Sequence, residues 1–222
     1  MNTSTHYSSL KSLFDQHRAE YPEPFRLRIH RALSWLNKAE LSEDDLDVKF
    51  ISLWISFNAL YAREIEGQQL TESETFNYFF QNLCELDKDK AIYNFVWKKF
   101  SGAIRLLMNN PYVFQPFWEF HNGKMSEHAY LKAEKHHLSC FYYAVEEQKT
   151  ANILALIFQR IYTLRNQLIH GGATYNSSAN RTQVRDACAI LGDIIPELLR
   201  IMLNNHQQIE WGEPFYPFIK TE

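Results

Sequence analysis

The sequence predicts an all-α protein, and three observations carry that expectation. Apolar residues recur at three- and four-residue steps, helix-capping signatures precede the apolar runs, and only 7 Gly and 7 Pro interrupt 222 residues. A β-rich chain needs a turn about every ten residues, usually built on Gly, Pro, Asn or Asp. Long unbroken segments are better explained as helices. With 45% apolar and 15% aromatic residues, the chain is also too hydrophobic for disorder and long enough to bury a core.

Residues 1–24 form a polar leader in which Leu10, Leu13 and Phe14 suit a short docking helix. From Phe25, the positions Leu27, Ile29, Leu33, Trp35 and Leu36 suit a helix ending near Glu40. Ser42 with Asp45 is an acidic variant of the capping box and predicts the start of a second helix. There Leu46, Phe50, Leu53, Trp54, Phe57, Leu60 and Tyr61 form a stripe that Ile51 and Ile55 widen, with Gly67 as the stop. A stripe that wide predicts a central helix buried on most sides. Thr71 and Glu74 form another capping box, before Phe76, Phe79, Phe80 and Leu83.

A helix is expected over 88–108, ended by Asn109-Asn110-Pro111. Residues 111–124 hold two prolines and five aromatics and suit a loop or short helix. A further helix over 126–148 has Tyr130, Leu138, Phe141, Tyr142 and Val145 as candidate core. The next, over 150–170, presents Ile153, Ile157, Ile161, Leu164 and Leu168 on one face. Gly171-Gly172 stops it, because glycine enters the left-handed cap without a Cβ clash. Asn180 with Gln183 predicts the cap of a last helix built on Val184, Ala187, Leu191, Ile194, Leu198 and Met202, kinked at Gly192 or Pro196. Trp211, Phe215, Tyr216 and Phe218 lie in a proline-punctuated strap over 210–222. The expected organisation is one helical domain over 25–209, with 88–148 as an insertion-like middle.

The formal charge of −3 excludes a generally basic, DNA-coating protein. Cys84, Cys140 and Cys188 are odd in number and widely spaced, so they read as buried thiols of a reducing compartment rather than a disulfide frame. No basic segment followed by an apolar run marks a secretory signal, and the apolar stretch 50–62 is too short to span a bilayer. A cytoplasmic protein without membrane attachment is the expectation.

The segment that carries chemistry is Arg165-Asn166-Gln167-Leu168-Ile169-His170. On a helix, Arg165 and His170 are about 7.5 Å apart along the axis and about 140° apart around it. Asn166 and His170 share a face, so Asn166 is placed to orient His170. Arg165 must reach His170 by its own length or across a symmetric partner. Between Ala151 and Arg185 stand Arg160, Arg165, Arg181 and Arg185 and no acidic residue. Arginine suits phosphate because its planar fork donates in pairs. Histidine suits proton transfer near neutrality. Together they can cleave RNA without a metal, by deprotonating a ribose 2′-hydroxyl and stabilising the charged phosphate.

This segment, followed by two glycines and a final capped helix, resembles the motif of the HEPN domain, an Arg and a His with four to six residues between them. The helix containing Leu53-Trp54-Ile55-Ser56-Phe57-Asn58-Ala59-Leu60-Tyr61 is similar to that family's early core helix. Residues 88–148 match no HEPN pattern. The resemblance implies an antiparallel helical bundle that forms a homodimer with two motifs facing across a cleft. It also implies a metal-independent endoribonuclease of the toxin–antitoxin, phage-defence or RNA-processing kind, with RNA as substrate, no cofactor, and an antitoxin or other protein as partner. Arg165 would bind the phosphate, His170 would act as acid or base, and Asn166 would position His170 or the phosphate. Arg160, Arg181 and Arg185 would line the phosphate path.

Structural readings stand beside these. A histidine before a glycine cap interacts favourably with a helix C-terminus without any catalysis. His136, His137 and Cys140 have helical neighbour spacing, but no third metal ligand is evident. The aromatic runs at 76–80, 112–120 and 141–143 read as core and interface, since Glu119, Glu146 and Glu147 would repel a nucleic-acid backbone. The rival function is a non-catalytic helical module that binds a partner protein or a nucleotide.

Overall fold

The computed structural model describes residues 6–62, 71–214 and 216. Among these the chain is all-α, with ten α-helices and no strand. It divides into two compact units, Met1–Gln69 with Cys188–Glu222, and Leu70–Ala187. Two units therefore stand where the sequence suggested one bundle, and neither boundary falls at 88 or 148.

In the first unit, α1 (His6–His17) occupies the polar leader. Leu10 and Phe14 are buried, and Tyr7 N donates to Glu40 Oε1 at 3.0 Å, so this helix is docked. It packs on α2 (Glu23–Glu40), which begins with Pro24 in its first turn, where no N–H is needed. Ser42 does not cap the next helix. Its hydroxyl donates to Lys38 O at 2.9 Å and finishes α2, while Asp45 accepts from Val48 N at 3.0 Å and starts α3 (Leu46–Tyr61). Ser42 lies a turn too early, and the orphan carbonyls at the end of α2 are nearer to it. In α3 only Val48 is exposed, which agrees with the wide apolar stripe. The expected stop at Gly67 lies outside the described residues.

Helices α2 and α3 are antiparallel. Ser56 Oγ donates to Ala32 O at 2.8 Å, and Arg28 reaches Leu60 O, so 32 faces 56 and 28 faces 60. Arg28 is only 1% exposed. Its Nη1 donates to the carbonyls of Ala59, Leu60 and Ala62 at 3.2, 2.7 and 2.9 Å. Its Nη2 donates to those of Gly212 and Glu213 at 3.3 and 3.2 Å. The last carbonyls of a helix lack intrahelical donors and carry partial negative charge, which a buried guanidinium satisfies.

The second unit opens on α4 (Glu72–Leu86), with both bonds of the Thr71–Glu74 capping box present. Phe76 and Phe80 pack on Phe158 of α9 (Thr150–Ile169), with ring centroids 6.1 and 4.8 Å away. The single helix expected over 88–108 is broken. Lys90 is left-handed (φ 56°), and the Asp87 carboxylate accepts the Ala91 and Ile92 N–H groups to start α5 (Ala91–Asn94). A π-helical turn at Phe95–Lys99 precedes α6 (Ser101–Met108). The Phe100 N–H bonds Phe95 O, five residues back, and the extra residue in the turn keeps Phe95 and Val96 buried alongside Ile104 and Leu107.

After a 3₁₀ turn at Pro111–Val113 come α7 (Gln115–His121) and α8 (Glu127–Glu146). Helix α8 buries only Phe141 and Ala144. Tyr142, expected in the core, is 56% exposed because the helix meets α9 along one narrow edge. The last helix, α10 (Arg181–Asn204), runs unbroken through Gly192 and Pro196, and all six of its expected core positions are buried. Asn180 is left-handed (φ 59°) rather than extended, so the predicted Asn180–Gln183 capping box does not form in that manner. In the strap, Trp211 packs on Phe25 and Tyr216 is 72% exposed, while Phe215 and Phe218 lie outside the described residues.

Arg28→Met removes the guanidinium donors to these five carbonyls. It should lower the unfolding free energy by about 3 kcal/mol in urea titration, and Thr71→Ala by about 1 kcal/mol. An unchanged urea midpoint for Arg28→Met would contradict the capping role.

Candidate functional site

The end of α9 is a Schellman motif. Gly171 is left-handed (φ 71°), Gly171 N donates to Leu168 O at 3.2 Å, and Gly172 N donates to Gln167 O at 2.7 Å. A Cβ on Gly172 would sit 3.0 Å from the Gln167 carbonyl oxygen. The two glycines therefore act as the sequence suggested, one for its dihedral and one for its close approach. His170 is the C-cap residue, with an exposed side chain.

Arg165 and Asn166 are brought together, and His170 is not joined to either side chain. Arg165 Nη1 donates to Asn166 Oδ1 at 2.9 Å, and the guanidinium lies 5.8 Å from the centre of the Tyr162 ring. Asn166 thus orients Arg165. The expected orientation of His170 by Asn166 is limited to the backbone, where His170 N donates to Asn166 O at 3.0 Å. Arg165 is half-buried, its Nε is sealed from solvent without an acceptor, and it pairs with no carboxylate among the described residues.

Gln167 is the residue that the sequence reading passed over. Its Nε2 donates to Tyr112 O at 2.6 Å, and its Oε1 accepts from Asn180 Nδ2 at 2.7 Å. One amide thus ties the helix end to the 3₁₀ turn on one side and to the loop before α10 on the other. The same Tyr112 carbonyl accepts Trp118 Nε1 at 2.8 Å. The only sequence signal was the place of Gln167 inside the Arg–His segment.

Arg160 does not belong to a phosphate path. It is 3% exposed, and it donates to Met108 O at 2.9 Å, Asn110 O at 3.1 Å and His137 Nε2 at 3.2 Å. Its guanidinium also stacks 4.2 Å from the centre of the Phe114 ring. Burial lowers its pKa to about 10, where it stays charged at neutral pH. Arg181 Nε donates to Ser177 O at 3.0 Å. Arg185 is 65% exposed and only 3.9 Å from Asp186 Oδ1, so it faces solvent beside a carboxylate.

His136 Nε2 lies 3.6 Å from Cys140 Sγ, whereas His137 turns to Arg160. No group of three or more His, Cys, Asp or Glu among the described residues is arranged to hold a metal ion. None of the three cysteines is in a disulfide; Cys188 is buried, and burial followed by the Asp87 and Glu85 charges pushes the Cys84 thiol up to about 12. No helix among the described residues is long and apolar enough to cross a membrane. No family model, curated protein or solved structure matches the chain.

Gly171→Ala should cost about 1 kcal/mol, because alanine is strained in the left-handed region. A thermal midpoint equal to that of the parent would contradict the cap geometry. Burial, then the Arg160 charge, pushes the His137 pKa down to about 4. An unfolded histidine titrates near 6.5, so the unfolded chain binds the extra proton between those values. The stabilisation is therefore complete above about pH 6.5 and is lost as pH falls toward 4, by on the order of 2 kcal/mol. Urea midpoints between pH 7 and pH 5 should fall further for the parent than for His137→Gln. Parallel curves would contradict the assignment.

Proposed function

We propose that this chain is a metal-independent endoribonuclease of the HEPN kind, acting as a homodimer in which Arg165 of one subunit and His170 of the other meet on one phosphate. The observation that carries the reading is Arg165. It is a half-buried cation held by Asn166, with no carboxylate beside it among the described residues. A half-buried cation with no carboxylate partner suits an anion such as phosphate, met by the rest of the guanidinium. His170 is exposed, and its side chain makes no hydrogen bond among the described residues.

In the proposed reaction, His170 takes the proton of a ribose 2′-hydroxyl as the oxygen attacks the adjacent phosphorus. The bond from phosphorus to the 5′-oxygen breaks, that oxygen takes a proton from water, His170 returns its proton to solvent, and a 2′,3′-cyclic phosphate remains. Arg165 stabilises the charge that builds on the non-bridging oxygens. Asn166 positions Arg165. The 140° or so between the two positions on one helix is the reason for the dimer, since a twofold axis brings both motifs together. Ile169 (50% exposed) and Tyr175 (73% exposed) supply apolar surface near His170 in the sequence for that contact. Arg181 and Arg185 extend the positive surface for the RNA backbone. Such an activity would suit a toxin or phage-defence effector held in check by an antitoxin.

The test incubates purified protein with mixed RNA in the presence of EDTA. Cleavage leaving 2′,3′-cyclic ends is expected, and Arg165→Ala and His170→Ala should each lose about a hundred- to ten-thousand-fold in rate while remaining folded. Arg165→Lys should also be poor, because a point charge cannot replace paired donors. Equal residual cleavage in the parent and both alanine variants would overturn the reading and favour a non-catalytic binding module.

A further inference from the structure

The first unit carries a cavity of about 270 Å³ between the start of α2 and the segment that follows α10. Three aromatic rings converge on it. The His206 and Trp211 ring centroids each lie 6.2 Å from that of Phe25, tilted 41° and 44° to it. Tyr21 backs His206 edge-on at 4.7 Å. Glu210 and Glu213 line the same cavity, and neither carboxylate is ion-paired among the described residues. No lysine or arginine among the described residues lines it. Trp211 Nε1 and His206 Nε2 are buried with no hydrogen-bond partner among the described residues.

The wall is fixed rather than loose. Arg28, itself in the core, holds the carbonyls of Gly212 and Glu213, the two residues after Trp211. The aromatic wall is thereby anchored to the same guanidinium that caps α3.

Ring faces carry negative potential and attract cations, and two unpaired carboxylates add to that field. Hard metal ions take oxygen ligands in numbers, which a wall of rings does not provide. A methylated ammonium is weakly hydrated and presents C–H groups to ring faces, and aromatic cages recognise such groups. The volume lies just below the range of roughly 300–1,000 Å³ for drug-sized ligands, which suits a small head group. We propose that this cavity binds a quaternary ammonium group, of the kind carried by choline or by a trimethylated lysine side chain. His206 and Trp211 form the cage wall, with the buried Phe25 behind them, and Glu210 and Glu213 supply the negative charge.

The test follows the Trp211 indole N–H signal by NMR on the full chain, identified by its loss in Trp211→Phe. Choline should shift it saturably at millimolar concentration, at fixed ionic strength. The neutral tert-butyl analogue of choline, with carbon in place of nitrogen, should bind about tenfold more weakly. Glu210→Gln with Glu213→Gln, both at exposed positions, should weaken choline to a similar degree and leave the tert-butyl analogue unaffected. A short peptide bearing trimethyl-lysine separates the two sources: tighter binding than choline assigns the site to a modified lysine, and equal or weaker binding assigns it to a free head group. Equal binding of choline and the neutral analogue, or no saturable shift with choline, overturns the proposal.

Discussion

A buried helix end leaves carbonyl oxygens that no N–H of the same helix can reach, and each unit of this protein meets that constraint with a buried arginine. Arg28 takes the last carbonyls of α3, and Arg160 takes Met108 O at the end of α6 and Asn110 O just beyond it. A guanidinium is suited to the task because it donates in several directions and keeps its charge when partly desolvated. Each arginine also draws in segments remote in sequence. Arg28 collects the chain at 212–213, and Arg160 collects His137 and the ring of Phe114. The α9 site depends on this, because Arg160 fixes α9 against the 108–114 segment five residues before Arg165. Gln167 then repeats the tie at Tyr112.

Features set by neighbours in the chain were legible in the sequence. The Thr71–Glu74 cap, the Gly171-Gly172 stop and the core stripe of α10 depend on residues within a turn or two of one another. The breadth of the α3 stripe likewise announced burial on nearly every side. Features set by tertiary partners were not legible. Arg160 and Arg165 have the same side chain on the same helix, and only the carbonyls at 108 and 110 separate a structural arginine from a candidate site residue. Ser42 and Asp45 both suited a cap, and the choice depended on which orphan groups lay nearest. The break at 87–100 arises from the Asp87 carboxylate and from the burial of Phe95 and Val96, neither of which alters a helical spacing pattern enough to reveal it.

At the end of α9 the two halves of the proposed chemistry are in different environments. Arg165 is half-buried and held by Asn166, with donor capacity to spare, while His170 stands at an exposed cap. A fixed cation and a solvent-facing imidazole suit different tasks, one binding charge and the other exchanging protons with water. Their separation around one helix is the geometric problem that the proposed second copy of the chain would solve.

That arrangement is tested most directly by mixing two inactive variants. Arg165→Ala and His170→Ala subunits, co-expressed so that they pair at random, form mixed dimers with one intact composite site and one doubly damaged site. Half of the dimers are mixed and one site in two is intact, so cleavage should recover to about a quarter of the parent level. A mixture no more active than either variant alone would contradict a site shared between subunits.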